Sequence, residues 1–66
     1  MPVRDREMIC RHIDVLSTNP FPKNSSKLRG LINTYRLKTG QYRVVYICRN
    51  REICIEKIGH RKDIYR

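Results

Sequence analysis

The chain has 66 residues, of which 39% are hydrophobic, so we expect a single domain over residues 1–66 with a small core. Fifteen Lys and Arg against six Asp and Glu give a net charge of +9, which predicts a polyanionic partner without saying which class. No stretch approaches the length of a membrane span, and charged residues stand where a signal peptide needs an apolar run; we therefore expect a soluble, cytoplasmic protein with no membrane partner.

An amphipathic helix is predicted at the N-terminus. Proline is tolerated in a first helical turn, where Pro2 stands, and four apolar residues then recur near one face at helical spacing: Val3, Ile9, Ile13 and Leu16. The pattern ends around Ser17. The following stretch STNPFPKNSS contains two X-Pro steps that stop a helix, so it is predicted to be a connection leading through KLRG to the first strand.

Three antiparallel strands are predicted in the second half of the chain. The hydrophobic period changes to two at Thr34, and Thr39-Gly40 is predicted to form the first turn. A second strand then starts at Tyr42, and a third, rich in isoleucine, runs from about Ile53 to Gly59. A helix followed by an antiparallel meander is an α+β arrangement.

The cysteines argue against a metal or a disulfide framework. Cys10, Cys48 and Cys54 are an odd number with no CxxC spacing and no matching histidine pair, so we expect reduced thiols and no metal or cofactor. Cys48 and Cys54 flank the second predicted turn. A two-residue turn at Asn50-Arg51 would put them on opposite faces of the sheet, and a three-residue loop would put them side by side.

The first hairpin carries a cluster of positive charge. If Thr39-Gly40 is a two-residue turn, Arg36 faces Arg43 across the strands, and Lys38 lies on the same side. Like charges directly opposite each other destabilise a sheet, so the simplest account is that the three cations converge on an anion, with a phosphate favoured. Bulge geometry at Gly40 would shift this register by one residue.

The C-terminal stretch GHRKDIYR adds groups that suit phosphate chemistry. Histidine, as at His60, titrates near pH 6.5 in its unperturbed state and can move protons at neutral pH. Arg61 can hold a phosphate with two hydrogen bonds, and Tyr65 can stack on a base or form a hydrogen bond. These residues form a site only if they converge on the hairpin.

The motifs LRG, YRLKTGQYRVVY and IGHRKDIYR, in this order, resemble the RelE/ParE toxin superfamily of prokaryotic toxin-antitoxin systems. The resemblance covers residues 27–66, and the preceding helix fits the family's second helix. It implies an α+β fold with the N-terminal helix packed on an antiparallel meander, without the first strand and helix of the family. It also implies a ribosome-dependent endoribonuclease that cuts mRNA in the ribosomal A site.

The resemblance also implies roles for individual residues. In the family, the ribose 2′-hydroxyl attacks the adjacent phosphate, and basic residues with a tyrosine assist without a metal. By position, the catalytic residues would be Lys38, Arg43, Arg61 and Tyr65. Arg36 stands at a place that is often lysine and would contact RNA. Lys27, Arg29, His60 and Lys62 are further candidates for RNA binding, which the resemblance does not itself assign.

The implied partners are mRNA in the ribosomal A site and an acidic antitoxin protein. The absent first strand predicts an open sheet edge, so the chain is either a truncated toxin or one whose core is completed by a homodimer or by the antitoxin. Two other functions stay open. One is a ParE-like inhibitor of DNA gyrase, and the other is an inactive remnant that still binds an antitoxin.

Overall fold

A computed structural model of the chain describes residues 2–64, which form one helix and a four-stranded antiparallel sheet. Helix α1 and the strands follow in chain order as α1 (Val3–Val15), β1 (Ser25–Lys27), β2 (Thr34–Thr39), β3 (Tyr42–Arg49) and β4 (Glu52–His60). The strands pair in the order β1-β2-β3-β4, so each strand lies beside its neighbour in sequence. This confirms the predicted α+β class. Within residues 2–64, no helix is long and apolar enough to cross a membrane.

Helix α1 covers one face of the sheet and closes the core there. Ile9 and Leu16 are buried against the inward side chains of β2 and β3, namely Leu37, Val44 and Tyr46. The prediction that the helix ends near Ser17 is close, since regular helix ends at Val15 and hydrogen bonds of the i to i−3 type continue to Thr18. Val3, by contrast, is 59% exposed and takes no part in the core.

Strand β1 was not predicted, because its residues Ser25–Lys27 carry no alternation of apolar and polar side chains. Pairing forms this strand. Its residues lie antiparallel to β2 from Tyr35 to Leu37. Asn24 extends the pairing, since its carbonyl accepts the Lys38 N–H at 2.8 Å and its side-chain amide donates to the Lys38 carbonyl at 2.8 Å. Tertiary contacts therefore override a weak local preference.

The first turn lies one residue later than the sequence predicts. Thr39 pairs with Tyr42, so Gly40 and Gln41 are the two central residues of the turn. Gly40 has a φ of 61°, and a glycine at the first central position suits a type II′ hairpin. As a result Lys38, and not Arg36, lies opposite Arg43, while Arg36 lies opposite Val45. The three cations nevertheless share the face of the sheet away from α1, because alternate residues point the same way.

The second turn settles the arrangement of the cysteines. Arg49 pairs with Glu52, which leaves Asn50 and Arg51 as a two-residue turn with positive φ at both positions, 51° and 67°. Cys48 then pairs with Ile53 and Cys54 with Ile47, so the two cysteines point to opposite faces of the sheet. All three cysteines are free thiols.

Candidate functional site

A groove on the face of the sheet away from α1 collects six cations. It runs from the segment before β1, across the β2–β3 hairpin, to the turn after β4. Its described lining consists of Lys23, Asn24, Ser25, Ser26, Arg36, Lys38, Arg43, Arg61 and Lys62. No carboxylate belongs to this lining among residues 2–64. Such a one-sided charge distribution creates a local field that favours an anion.

Arg43 is fixed at the end of the hairpin by its own backbone surroundings. Its Nη1 donates to the Gly40 carbonyl at 3.1 Å and to the Tyr42 carbonyl at 2.8 Å. A guanidinium has five N–H donors, so both bonds through one nitrogen leave the other nitrogens to face a ligand. Lys38, directly opposite, is exposed. The hairpin thus presents one cation held by hydrogen bonds and one exposed cation side by side.

The turn after β4 brings a second pair of cations to the same groove. The Arg61 N–H donates to the Gln41 carbonyl at 2.8 Å, so the β2–β3 turn and the end of β4 are tied together. The N–H groups of Asp63 and Ile64 donate to the His60 carbonyl at 2.8 and 3.0 Å, which closes a tight turn around Arg61 and Lys62. Ile64 is buried and anchors this turn to the protein.

His60 belongs to the framework of this turn and lies on the other face of the sheet. It pairs with Tyr42, whose ring it meets edge-on with centroids 5.6 Å apart. Its Nδ1 accepts the Lys62 N–H at 3.2 Å. His60 therefore does not line the groove, but its hydrogen bond to Lys62 helps to shape the turn at the end of the groove.

Tyr42 is not a general base at neutral pH. Burial, then the negative charge of Asp5, and then a hydrogen bond to that carboxylate raise the pKa of Tyr42 above its ordinary value. A raised pKa keeps the phenol protonated. The tyrosine that the resemblance assigns to catalysis is Tyr65, which lies outside the described residues.

Lys27 and Arg29, assigned to RNA binding from the sequence, are separated from the groove. Both line a second hollow in the β1–β2 connection, beside Gly30, Leu31 and Ile32. Lys27 pairs with Tyr35, whose side chain points to the α1 side of the sheet, so it faces away from Arg36. Their role in RNA binding stays a prediction.

Sequence reasoning missed Lys23 as part of the groove. It stands in the connection between α1 and β1, which the sequence presents as a proline-rich loop without a strand to place it. Only the pairing of β1 with β2 brings this loop beside Arg36 and Lys38. The net charge indicated a basic surface, but the sequence could not show that Lys23 belongs to it.

The fold and the groove define a small α+β protein with a helix on one face of its sheet and concentrated positive charge on the other. The family model of the ParE toxin of type II toxin-antitoxin systems, parDE, matches residues 4–65. The chain therefore belongs to this family, within the RelE/ParE superfamily of toxins.

Two relatives show how far the similarity extends. A curated protein described as putative toxin RelE1, from Methanocaldococcus jannaschii, is 37% identical over 59 residues, which cover 82% of this chain and 66% of that relative. The chain thus spans just under two thirds of that relative's length. The crystal structure of a RelB-RelE antitoxin-toxin complex from Methanococcus jannaschii is similar with a TM-score of 0.80 and 25% identity, covering 98% of this chain and 80% of the other.

Proposed function

We propose that this protein is a toxin that cleaves mRNA on the ribosome, using the six-cation groove to hold the scissile phosphate. The observation that carries the proposal is the convergence of Lys38 and Arg43, from the β2–β3 hairpin, with Arg61, from the turn after β4, on one groove. Like charges so close together oppose folding. A phosphate bound among them would offset that repulsion, since charge-assisted hydrogen bonds to phosphate are among the strongest that a protein makes.

The chemistry follows from what these side chains can do. The ribose 2′-hydroxyl attacks the adjacent phosphorus and forms a 2′,3′-cyclic phosphate, while the bond to the 5′-oxygen of the next nucleotide breaks. Arg43 and Arg61 stabilise the charge that develops on the phosphorane oxygens. Lys38 assists removal of the 2′-hydroxyl proton, and Tyr65 assists protonation of the leaving 5′-oxygen.

The proposed need for the ribosome rests on the open shape of the groove, which does not by itself fix the position of the attacking hydroxyl. The groove lies open on one face of the sheet and binds through the phosphate charge, which is the same at every nucleotide. In-line attack requires the 2′-hydroxyl and the phosphorus to be held in a near-attack geometry. On this proposal the ribosome supplies that geometry, and the toxin supplies the electrostatic stabilisation.

A second function, binding of an acidic antitoxin, is favoured by the open edge of β4. Ile55 and Ile58 on this strand are 36% and 42% exposed, and no strand lies beyond it among residues 2–64. A segment that adds to a free edge gains backbone hydrogen bonds there and can cover apolar side chains. The similar RelB-RelE complex supports a partner of this kind. Antitoxin binding is compatible with nuclease activity and would remain if the chain were an inactive remnant.

The test of the nuclease proposal is inducible expression with growth measurement and primer extension on translated mRNA. Wild type should slow growth and leave cuts spaced by codons. Arg61→Ala, Tyr65→Phe and the pair Lys38→Ala with Arg43→Ala should each reduce cutting by roughly 100-fold or more. Arg49→Ala is the matched control, because it removes one exposed cation outside the groove.

The alternatives predict different results in the same experiment. A gyrase inhibitor would slow growth without cutting mRNA and would block supercoiling by purified gyrase. An inactive remnant would leave growth and mRNA unchanged although the protein is folded. Equal cutting by the groove variants and wild type would contradict the proposed site.

A further inference from the structure

One exposed aromatic side chain stands next to the basic groove. Phe21, in the connection between α1 and β1, is 54% exposed. Its ring contacts Tyr35 with centroids 5.0 Å apart and a 53° angle between planes, and Tyr35 in turn stacks on Tyr46 at 5.6 Å. Phe21 is thus the outer member of a row of three rings that begins in the buried core.

The segment that carries Phe21 is held rigidly on both sides. The Tyr46 hydroxyl donates to the Pro20 carbonyl at 2.7 Å, and the Pro22 carbonyl accepts both the N–H and the hydroxyl of Ser25, at 2.9 and 2.7 Å. The Phe21 N–H itself donates to the Asn19 side chain at 3.2 Å. With a proline on each side, the backbone has little freedom to lose when a ligand binds.

The hollow beside Phe21 adjoins the basic groove at the edge strand β1. Lys23, Ser25 and Ser26 line both hollows. Phe21 packs on Tyr35, which faces the α1 side of the sheet, so a nucleic-acid strand that leaves the groove passes around the edge at β1 to reach the ring. A cationic track with an exposed, rigid aromatic ring at one end is how proteins hold single-stranded nucleic acid, because phosphates follow the cations and a base stacks on the ring. A base that is free of a duplex can be splayed onto such a ring.

We propose that Phe21 is a base-stacking subsite for single-stranded nucleic acid whose sugar-phosphate backbone lies in the six-cation groove. The inference rests on the proposed function of that groove as a phosphate site. Stacking on a phenyl ring accepts every base, so this subsite contributes affinity and position without selecting a sequence.

The experiment compares two ligands that differ only in their bases. A fluorescently labelled single-stranded RNA 8-mer and an abasic oligomer with the same ribose-phosphate backbone are titrated at low salt, and anisotropy gives the affinities. Wild type should bind the RNA roughly 5- to 100-fold more tightly than the abasic oligomer. Phe21→Leu should abolish this preference while binding the abasic oligomer as wild type does. Phe21→Tyr should retain the preference.

A second readout uses the absence of tryptophan from the sequence. Phe21→Trp introduces a unique fluorophore, and its emission should be quenched by the RNA and not by the abasic oligomer. Equal binding of RNA by wild type and Phe21→Leu, with no quenching of Trp, would overturn the subsite.

The same titrations distinguish failure of the subsite from failure of the groove. One outcome is that the pair Lys38→Ala with Arg43→Ala weakens the binding of both ligands while Phe21→Leu weakens the binding of neither. In that case the groove is a phosphate site and the stacking inference is wrong. If that pair changes neither affinity, the groove is not the phosphate site, and the inference falls with it. If Phe21→Leu lowers the affinity for both ligands by the same factor, Phe21 has only a structural role, and the proposal is also overturned.

Discussion

Tyr46 shows how one residue ties the core to the region that carries the site. Its ring is fully buried between α1 and the sheet, while its hydroxyl donates to the Pro20 carbonyl at 2.7 Å. The same side chain therefore packs the core and holds the connection that presents Phe21 and Lys23. Burial is the largest cause that raises the pKa of Tyr46 above its ordinary value.

Tyr46→Phe should destabilise the protein by about 1 kcal/mol at neutral pH, because the hydrogen bond is lost and the ring is kept. Urea unfolding measures the change. Tyr35→Phe is the control, since the Tyr35 hydroxyl makes no hydrogen bond within residues 2–64. An equal loss of stability in both variants would contradict the role of the Tyr46 hydroxyl.

The raised pKa of Tyr46 also predicts how stability depends on pH. The unfolded phenol ionises near pH 10, before the folded one, so the stability it contributes is complete below about pH 10 and is lost as pH rises through the folded pKa. Tyr42 acts in the same direction. Unfolding free energies between about pH 9 and pH 11 should fall less steeply in Tyr46→Phe than in wild type. If the unfolding free energies of wild type and Tyr46→Phe fall in parallel as the pH rises, Tyr46 does not cause the pH dependence of stability.

At the scale of elements, the two hairpin turns should respond to glycine in opposite ways. Gly40→Ala should destabilise by about 1–2 kcal/mol, because φ is 61° there, a conformation that L side chains rarely adopt. The Met8 Cε, 2.8 Å from the new Cβ, ends a flexible side chain and can move aside. Arg51→Gly should stabilise by roughly 0.5–1 kcal/mol, since φ at Arg51 is 67° and Asn-Gly suits a type I′ turn. Thermal unfolding measures both.

Arg51→Ala separates the backbone effect from the loss of the side chain, since alanine removes the charge and keeps the strained φ. A gain in Arg51→Ala equal to that in Arg51→Gly would show that charge, and not backbone conformation, limits this turn.

The turn after β4 should depend on His60 through one nitrogen. His60→Ala should weaken binding of an abasic ribose-phosphate oligomer by about 3- to 10-fold, because the Lys62 N–H loses its acceptor at 3.2 Å and the turn that carries Arg61 loosens. His60→Asn should restore binding, since the Asn side-chain oxygen can occupy the place of Nδ1. His60→Gln places its oxygen one bond farther out and should not restore it.

Amide hydrogen exchange at Lys62 is an independent measurement. The exchange should be faster in His60→Ala and His60→Gln than in wild type, and unchanged in His60→Asn. Unchanged exchange and affinity in all three variants would show that the turn holds without His60.

For the whole molecule, the net charge of +9 predicts strong salt dependence of binding to single-stranded RNA. We assume that three to six of the six groove cations contact phosphates. A plot of the logarithm of the binding constant against the logarithm of the salt concentration should then have a slope between about −2 and −4. The pair Lys38→Ala with Arg43→Ala should reduce the steepness by about 1.4.

The pair Arg49→Ala with Arg51→Ala is the matched control, because it removes the same charge at the β3–β4 turn, outside the groove. Its slope should equal that of wild type. The same decrease in slope for both pairs would mean that RNA responds to net charge and not to the groove.

Much of the fold could be predicted from the sequence because its signals are local. The helical spacing of Ile9, Ile13 and Leu16 and the period of two from Thr34 onward identify α1 and the strands β2, β3 and β4 without reference to distant residues. Alternation also predicted that Lys38 and Arg43 share one face of the sheet. This is confirmed although the turn lies one residue later, because that moves the residue opposite Arg43 by two positions, from Arg36 to Lys38, and a shift of two keeps each side chain on its face.

Other features were decided only by the tertiary structure, because they depend on contacts between segments far apart in the chain. Strand β1 exists through its pairing with β2, and this pairing brings Lys23 to the groove and Phe21 to its end. His60, which the sequence proposes for RNA binding, pairs with Tyr42 and so lies on the α1 face of the sheet, outside the groove lining; its role in RNA binding stays a prediction. A sequence specifies which side chains are available, whereas backbone hydrogen bonding between strands determines which of them meet.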